Sequence, residues 1–247
     1  MRTAVRSIAP AVAATLALAA GAAAQTAPEA LPQPAPTQVV ALVKVPKPWY
    51  APKAYVIGKF RDAVPQYDAV PGLQYKYFTL SDDGTFGGLY LWNSRTQADG
   101  WFNDAWHARV LKERGVRGDV TLFDAPVVLD NMLDNAGAAA DGQAVATIVR
   151  IPIPAGVGRE RLIAEFNKAL PTYQAVPGLA RKYFIITQDG KFGGVYLWTN
   201  RAAAQTFYSA AWHERVRATY GSAADVAWFD APVVLPSRLQ QTTVSSR

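Results

Sequence analysis

The sequence predicts an α+β fold made of two ferredoxin-like βαββαβ modules packed sheet to sheet, and three observations carry that prediction. Shifted against itself by 106 positions, the segment Gln38 to Leu129 aligns without a gap with Ala144 to Leu235, and about 42 of the 92 pairs are identical. A gapless match of that length at one offset marks a duplicated structural unit. Within each copy the signals run strand, helix, strand, strand, helix, strand, the split β-α-β order of an antiparallel four-stranded sheet with both helices on one face. The strands are apolar on both faces, as in Val39-Val40-Ala41-Leu42-Val43, Leu89-Tyr90-Leu91-Trp92 and Val127-Val128-Leu129. A sheet wetted on one side alternates apolar with polar residues. The face away from the helices must therefore be covered too, and the second copy is the available cover, giving an intramolecular pseudo-dimer.

The elements follow in chain order. Arg2 and Arg6, the apolar run Ile8 to Ala20 and the small residues up to Ala24 read as a secretory signal peptide over 1–24. A Pro/Ala-rich tether is expected over 25–37, the first module over 38–130, a small-residue linker over 131–142, the second module over 143–236 and a polar tail over 237–247. Each module opens on a β-branched strand, Val39 to Val45 or Val145 to Ile151, stopped by Pro46 or Pro152. A helix follows, with Val56, Ile57, Phe60 and Val64 in the first copy and Leu162, Ile163, Phe166 and Leu170 in the second at helical spacing. Asp83-Gly84 and Asp189-Gly190 then turn a hairpin, since Gly accepts positive φ without strain. A second helix is expected from about Arg95 to Arg114 and from about Arg201 to Tyr220, started by a Ser94/Gln97 capping box and by Asn200. The last strands are Val120 to Leu129 and Val226 to Leu235. Gly87-Gly88 and Gly193-Gly194 inside strands mark either a bulge or a close backbone approach.

Composition excludes several functions. The chain has no Cys and a formal charge of +6, which falls to +4 without Arg2 and Arg6. Scattered Lys and Arg mixed with acids do not form the clustered basic face that nucleic acid requires. The signal peptide makes a periplasmic or secreted location the expectation, and after its cleavage no segment is expected to insert stably in a membrane. No G-x-G-x-x-G or P-loop is present to cradle a nucleotide, and one His per copy without Cys does not make a zinc site, so no metal is expected.

The sequences PGLxxKYF, the DG turn, FGGxYLW followed by an Arg, the Trp-bearing second helix and FDAPVVL resemble the YdhR-type monooxygenase family of the dimeric α+β barrel superfamily, whose relatives include antibiotic biosynthesis monooxygenases. The resemblance covers both copies. It implies a barrel fold, a small aromatic or lipophilic substrate and oxidation by O2 with no metal, flavin or other cofactor. The departures are fusion of two modules into one chain and export.

The chain holds two histidines, His107 and His213, equivalent by the same offset and each in the pattern Ala-Trp-His-x-Arg-Val. Histidine suits acid/base work near neutral pH, so both are catalytic candidates; the alternative is a hydrogen bond to a strand carbonyl or to Asp124 or Asp230. Trp106, Trp212, Arg109 and Arg215 beside them are candidate substrate contacts, with Ala98, Trp101, Phe102, Ala105 and Trp106 expected to face the sheet. Tyr90, Trp92, Tyr196 and Trp198 share one face of their strands and suit a phenol- or quinone-like ligand. Lys76 and Lys182 share a face with Phe78 and Phe184 and could hold an anionic group. The alternative functions are a binding protein for a hydrophobic small molecule that does no chemistry, and haem binding or degradation with a second-helix His on iron. The haem alternative also expects an Asn on the first strand, where Val39 to Val45 has none.

Overall fold

The computed structural model describes residues 37–47, 50–131 and 143–235. The expected signal peptide and tail, and all but Thr37 of the tether and Asn131 of the linker, lie outside the described residues. The first half runs β1 (Gln38–Pro46), α1 (Lys53–Asp68), β2 (Leu73–Ser81), β3 (Thr85–Trp92), α2 (Arg95–Trp101), α3 (Asp104–Arg114) and β4 (Asp119–Asp130). The second runs β5 (Val145–Pro152), α4 (Arg159–Gln174), β6 (Leu179–Ile186), β7 (Lys191–Trp198), α5 (Arg201–Phe207), α6 (Ala210–Tyr220) and β8 (Asp225–Leu235).

The eight strands close into one barrel in the order β1-β3-β2-β8-β5-β7-β6-β4. The two sheets thus do more than lie face to face, because their edges are hydrogen-bonded to each other, which leaves no open edge. The FDAPVVL motif explains how. The first part of β4 pairs with β1 as far as Ala125, and along its other edge β4 meets β6 at Asp124 and again from Val127 onward. Between them sits Pro126, which has no N–H to give to a ladder, and the register shifts there. The second copy repeats the pattern: β8 pairs with β5 up to Asp230, and along its other edge it meets β2 at Phe229 and Asp230 and again from Val233 to Leu235.

The barrel interior is the shared core expected from the two-faced strands, uniting Val40, Leu42, Leu89 and Leu91 of one half with Ile148, Ile185, Val195 and Leu197 of the other. It also holds a polar group that strand periodicity conceals. Arg181 is 1% exposed, its Nε lies 3.0 Å from Asp130 Oδ2, and its guanidinium stacks 3.7 Å from the centre of the Tyr75 ring. Tyr75 donates to the same carboxylate at 2.8 Å. Tyr77 and Tyr183, equivalent in the two copies, join hydroxyls beside it. Burial works against the charge of Arg181, yet Tyr77, Tyr183 and Asp130 around it hold its pKa above the ordinary arginine value.

The second helix of each copy is not one helix but two. Phe102 leaves the helical region at φ −88°, ψ 42°, and Asn103 restarts it by accepting from the Trp106 N–H at 3.0 Å. Ser209 does the same for Trp212 at 3.3 Å. Apolar spacing continues through the break, which is why the sequence reads as one segment; the sign of a restart is the cap residue itself. The break turns Ala105 out to solvent, whereas Ala98, Phe102 and Trp106 stay buried on the sheet. Asn103→Ala is expected to lower stability by about 1 kcal/mol, measured as a shifted denaturant midpoint. Ser94 and Asn200 cap their helices as expected, accepting from the Gln97 and Ala203 N–H groups, while the Gln97 side chain accepts from the Ser94 hydroxyl.

The paired glycines mark close approach rather than a bulge. Pairing runs unbroken through Gly87 and Gly88 on both sides of β3, and a Cβ on Gly87 would sit 2.0 Å from the Val43 carbonyl oxygen. Gly193 meets the Val149 oxygen at the same 2.0 Å. Gly87→Ala or Gly193→Ala must push strands apart, and each is expected to lower stability by roughly 3 kcal/mol in a urea titration.

Candidate functional site

Between the outer face of each sheet and its helices lies a cavity, about 590 Å³ in the first half and about 210 Å³ in the second. The walls correspond by the 106-residue offset: Phe60, Tyr67, Phe78, Phe86 and Tyr90 in one, Phe166, Tyr173, Phe184, Phe192 and Tyr196 in the other. On each sheet the period-two alternation settles which face is which. Leu89 and Leu91 turn into the barrel, while Lys76, Phe78, Tyr90 and Trp92 turn toward the helices.

The feature that sets these cavities apart from ordinary core is a lysine at the base of each. Lys76 and Lys182 are both 2% exposed. The Lys76 amine lies 3.0 Å from the centre of the Tyr67 ring, 3.9 Å from Phe78 and 4.5 Å from Tyr90. Lys182 repeats the cage with Tyr173, Phe184 and Tyr196 at 3.0, 3.9 and 4.6 Å. Neither amine has an acidic partner among the described residues. The second glycine of each pair makes the cage possible, because a Cβ on Gly88 would lie 3.3 Å from Lys76 Cε and one on Gly194 2.9 Å from Lys182 Cε. Burial holds both amines well below the usual lysine range, and burial likewise pushes the Tyr90 and Tyr196 phenols well above theirs. The rings act in the opposite sense on the amine, since their faces attract an ammonium.

This arrangement has a consequence for stability. Between the lowered folded value and the unfolded value of 10.5, the unfolded chain binds more protons at these two lysines than the folded one. Their contribution therefore makes stability rise with pH across that window. Lys76→Met with Lys182→Met is expected to flatten the rise, seen by comparing denaturant midpoints of the variant and the native chain at successive pH values up to about 9.

Of the sequence candidates, Lys76, Lys182, Tyr90, Tyr196, Trp106, Trp212, Arg109 and Arg215 line the cavities. Trp92 and Trp198 do not; they are buried behind Tyr90 and Tyr196, with parallel rings at 6.4 and 5.8 Å. His107 and His213 are not among the lining residues either. One residue past Trp106 is about 100° around the helix, and there His107 packs edge-on against Trp106 at 4.9 Å, its Nδ1 buried with no hydrogen-bond partner. His213 repeats the contact with Trp212 at 4.9 Å. Asp124 and Asp230 are engaged elsewhere, with Arg159 and with Lys53 and Arg201. An iron-bound haem does not fit these residues, since neither cavity is lined by a histidine and β1 offers no Asn. Among the described residues no group of three or more potential metal ligands occurs.

The two halves have diverged behind the cage. In the second, Trp198 Nε1 donates to Thr147 Oγ1 at 3.0 Å, and Thr147 bonds the Tyr208 hydroxyl at 2.7 Å. The first half has Ala41 and Phe102 at those places, and Trp92 Nε1 has no hydrogen-bond partner among the described residues.

Tyr67 and Tyr173, the roofs of the two cages, are absent from the sequence candidates. The signal was available in their identity at the repeat offset, one residue removed from AVPGL.

No protein-family model and no curated protein matches the chain. Solved structures do. A putative monooxygenase from Fusobacterium nucleatum superposes with a TM-score of 0.59 at 11% identity, covering 82% of this chain and 95% of that one. A putative monooxygenase from Lactobacillus acidophilus gives 0.53 at 10%, covering 80% and 95%. An anthrone oxidase-like protein gives 0.50 at 13%, covering 82% and 93%. At such identities the likeness is one of architecture: the chain has the fold of these monooxygenase-like proteins, a ferredoxin-like dimeric α+β barrel closed within a single chain.

Proposed function

We propose that this chain is an exported, cofactor-independent monooxygenase that binds a small aromatic or lipophilic substrate with an acidic O–H or C–H in each cavity. The observation that carries this reading is the lysine at each cavity base, buried among aromatic rings and without a carboxylate partner. The YdhR-type resemblance of the sequence supports the same activity.

The chemistry follows from the cage. Burial favours the neutral amine when the cavity holds no anion, so the lysine is ready to take a proton. Once protonated, the ammonium faces rings that attract it and the substrate anion it has just made. For a substrate with an activated CH2, the anion gives its electrons to O2 and forms a carbon hydroperoxide, with the proton returning from the ammonium. Loss of water then leaves the carbonyl, so that R2CH2 and O2 become R2C=O and H2O. The lysine is the base, the tyrosines and Phe78 or Phe184 hold the ring, and exclusion of water protects the anion.

The buried position of the amines also favours a second reading, in which the same cages hold an anion without turnover. Oxygen-electrode measurements with naphthols, hydroquinones and activated methylene aromatics separate the two. Uptake that needs the protein and stops in nitrogen is expected; ligand binding without uptake leaves the binding protein. Export is tested by the N-terminus of the mature chain, expected at Gln25.

A further inference from the structure

The two cavities stand at equivalent positions but are no longer alike, and we infer that they take different ligands: the first-half cavity a larger aromatic that carries a carboxylate or sulfonate, and the second-half cavity a smaller aromatic such as a naphthol. This rests on the cavities being small-molecule sites, and is independent of whether turnover occurs.

The size difference, about 590 against about 210 Å³, has an identifiable source at the end of the last helix in each half. Tyr220 closes the second cavity by laying its ring against Phe192, with centroids 5.2 Å apart at 73°. The equivalent residue of the first half is Arg114, which places only a guanidinium over Phe86 at 5.6 Å. An aromatic plug is thus replaced by a flexible cation, and the space it would fill stays open.

The charged lining differs in kind, with two guanidiniums in the first half against one in the second. The first cavity is lined by four basic side chains, Lys59, Lys76, Arg109 and Arg114, and by the two acids Asp62 and Glu113. Asp62 is taken up by Lys59 at 3.1 Å. Arg109 and Arg114 have no ion-pair partner among the described residues, so two guanidiniums face Glu113 alone. The second cavity has Lys182 and Arg215 against Glu165, with Thr219 in place of Glu113. Glu165 is held by Lys168 at 2.9 Å. Paired guanidiniums at a cavity mouth, with an amine at its base, match an elongated ligand whose aromatic body enters the cage and whose carboxylate or sulfonate stays at the rim.

Fluorescence and calorimetric titrations of the full chain with two probes test this: 1-anilinonaphthalene-8-sulfonate, bulky and anionic, and 2-naphthol, small and neutral. The native chain is expected to bind one sulfonate and two naphthols. Arg114→Tyr should weaken the sulfonate at least about tenfold and leave the second naphthol site unchanged. Tyr220→Arg should add a second sulfonate site, whereas Tyr220→Phe, which keeps the plugging ring, should add none. Two equal sulfonate sites in the native chain, or a sulfonate affinity indifferent to Arg114→Tyr, overturns the inference while leaving both cavities as ligand sites. Binding of neither probe overturns the premise and the inference together.

Discussion

Lys76→Met combined with Lys182→Met is expected to reduce oxygen uptake with an acidic aromatic substrate by about two orders of magnitude or more, the range removed with a general base. Methionine matches the unbranched shape and fills the cage, so the fold should survive; loss of a buried amine without an acidic partner should leave thermal stability equal or higher. The single variants are informative separately. If both halves turn substrate over, each retains the activity of the other cavity. Arginine at either position keeps a charge but cannot give up its proton near neutral pH, so Lys76→Arg with Lys182→Arg should fail in catalysis even if it folds. By contrast, His107→Gln with His213→Gln is expected to change uptake less than the lysine pair, since neither ring lines a cavity.

The second large effect concerns the barrel interior. Asp130→Ala removes the carboxylate that both Arg181 and Tyr75 address and leaves a guanidinium that is 1% exposed. Breaking a buried pair from one side costs about 3 to 5 kcal/mol. Removing both partners in Asp130→Ala with Arg181→Met should recover a large part of that loss, because no charge is then stranded. The comparison is made by urea unfolding of the three chains. The same residues close the barrel across the two halves, since Asp130 of β4 pairs with Arg181 of β6.

Much of this architecture is legible in the sequence because it is stated twice. The offset of 106 residues identifies the unit, and strands apolar on both faces require cover on both. Closure of the barrel is less visible: it depends on β4 and β8 each running on past the end of their pairing with β1 and β5 to hold a strand of the other half, and a proline within a strand reads equally well as an edge. The helix break at Phe102 is hidden because apolar spacing runs through it. At the site, period two correctly joins Lys76 to Phe78 and Tyr90 to Trp92, but it does not say which face meets the helices. Contacts across the fold decide that, and they bring in Tyr67 and Tyr173 from a different element. The histidines show the converse. Their repetition in both copies makes them conspicuous, while helix geometry directs them away from the cavities their tryptophan neighbours line. Arg181 shows how one copy can mislead about the other, since its counterpart Tyr75 gives no hint of a buried cation.

A ligand in either cavity is expected to meet the caged lysine. Nuclear magnetic resonance of chains labelled with 13C at lysine Cε tests it most directly, with the two caged signals assigned by Lys76→Met and Lys182→Met. Two signals that titrate well below the other lysines and shift when 2-naphthol is added are expected. Two signals that titrate with the surface lysines and ignore the ligand would contradict it.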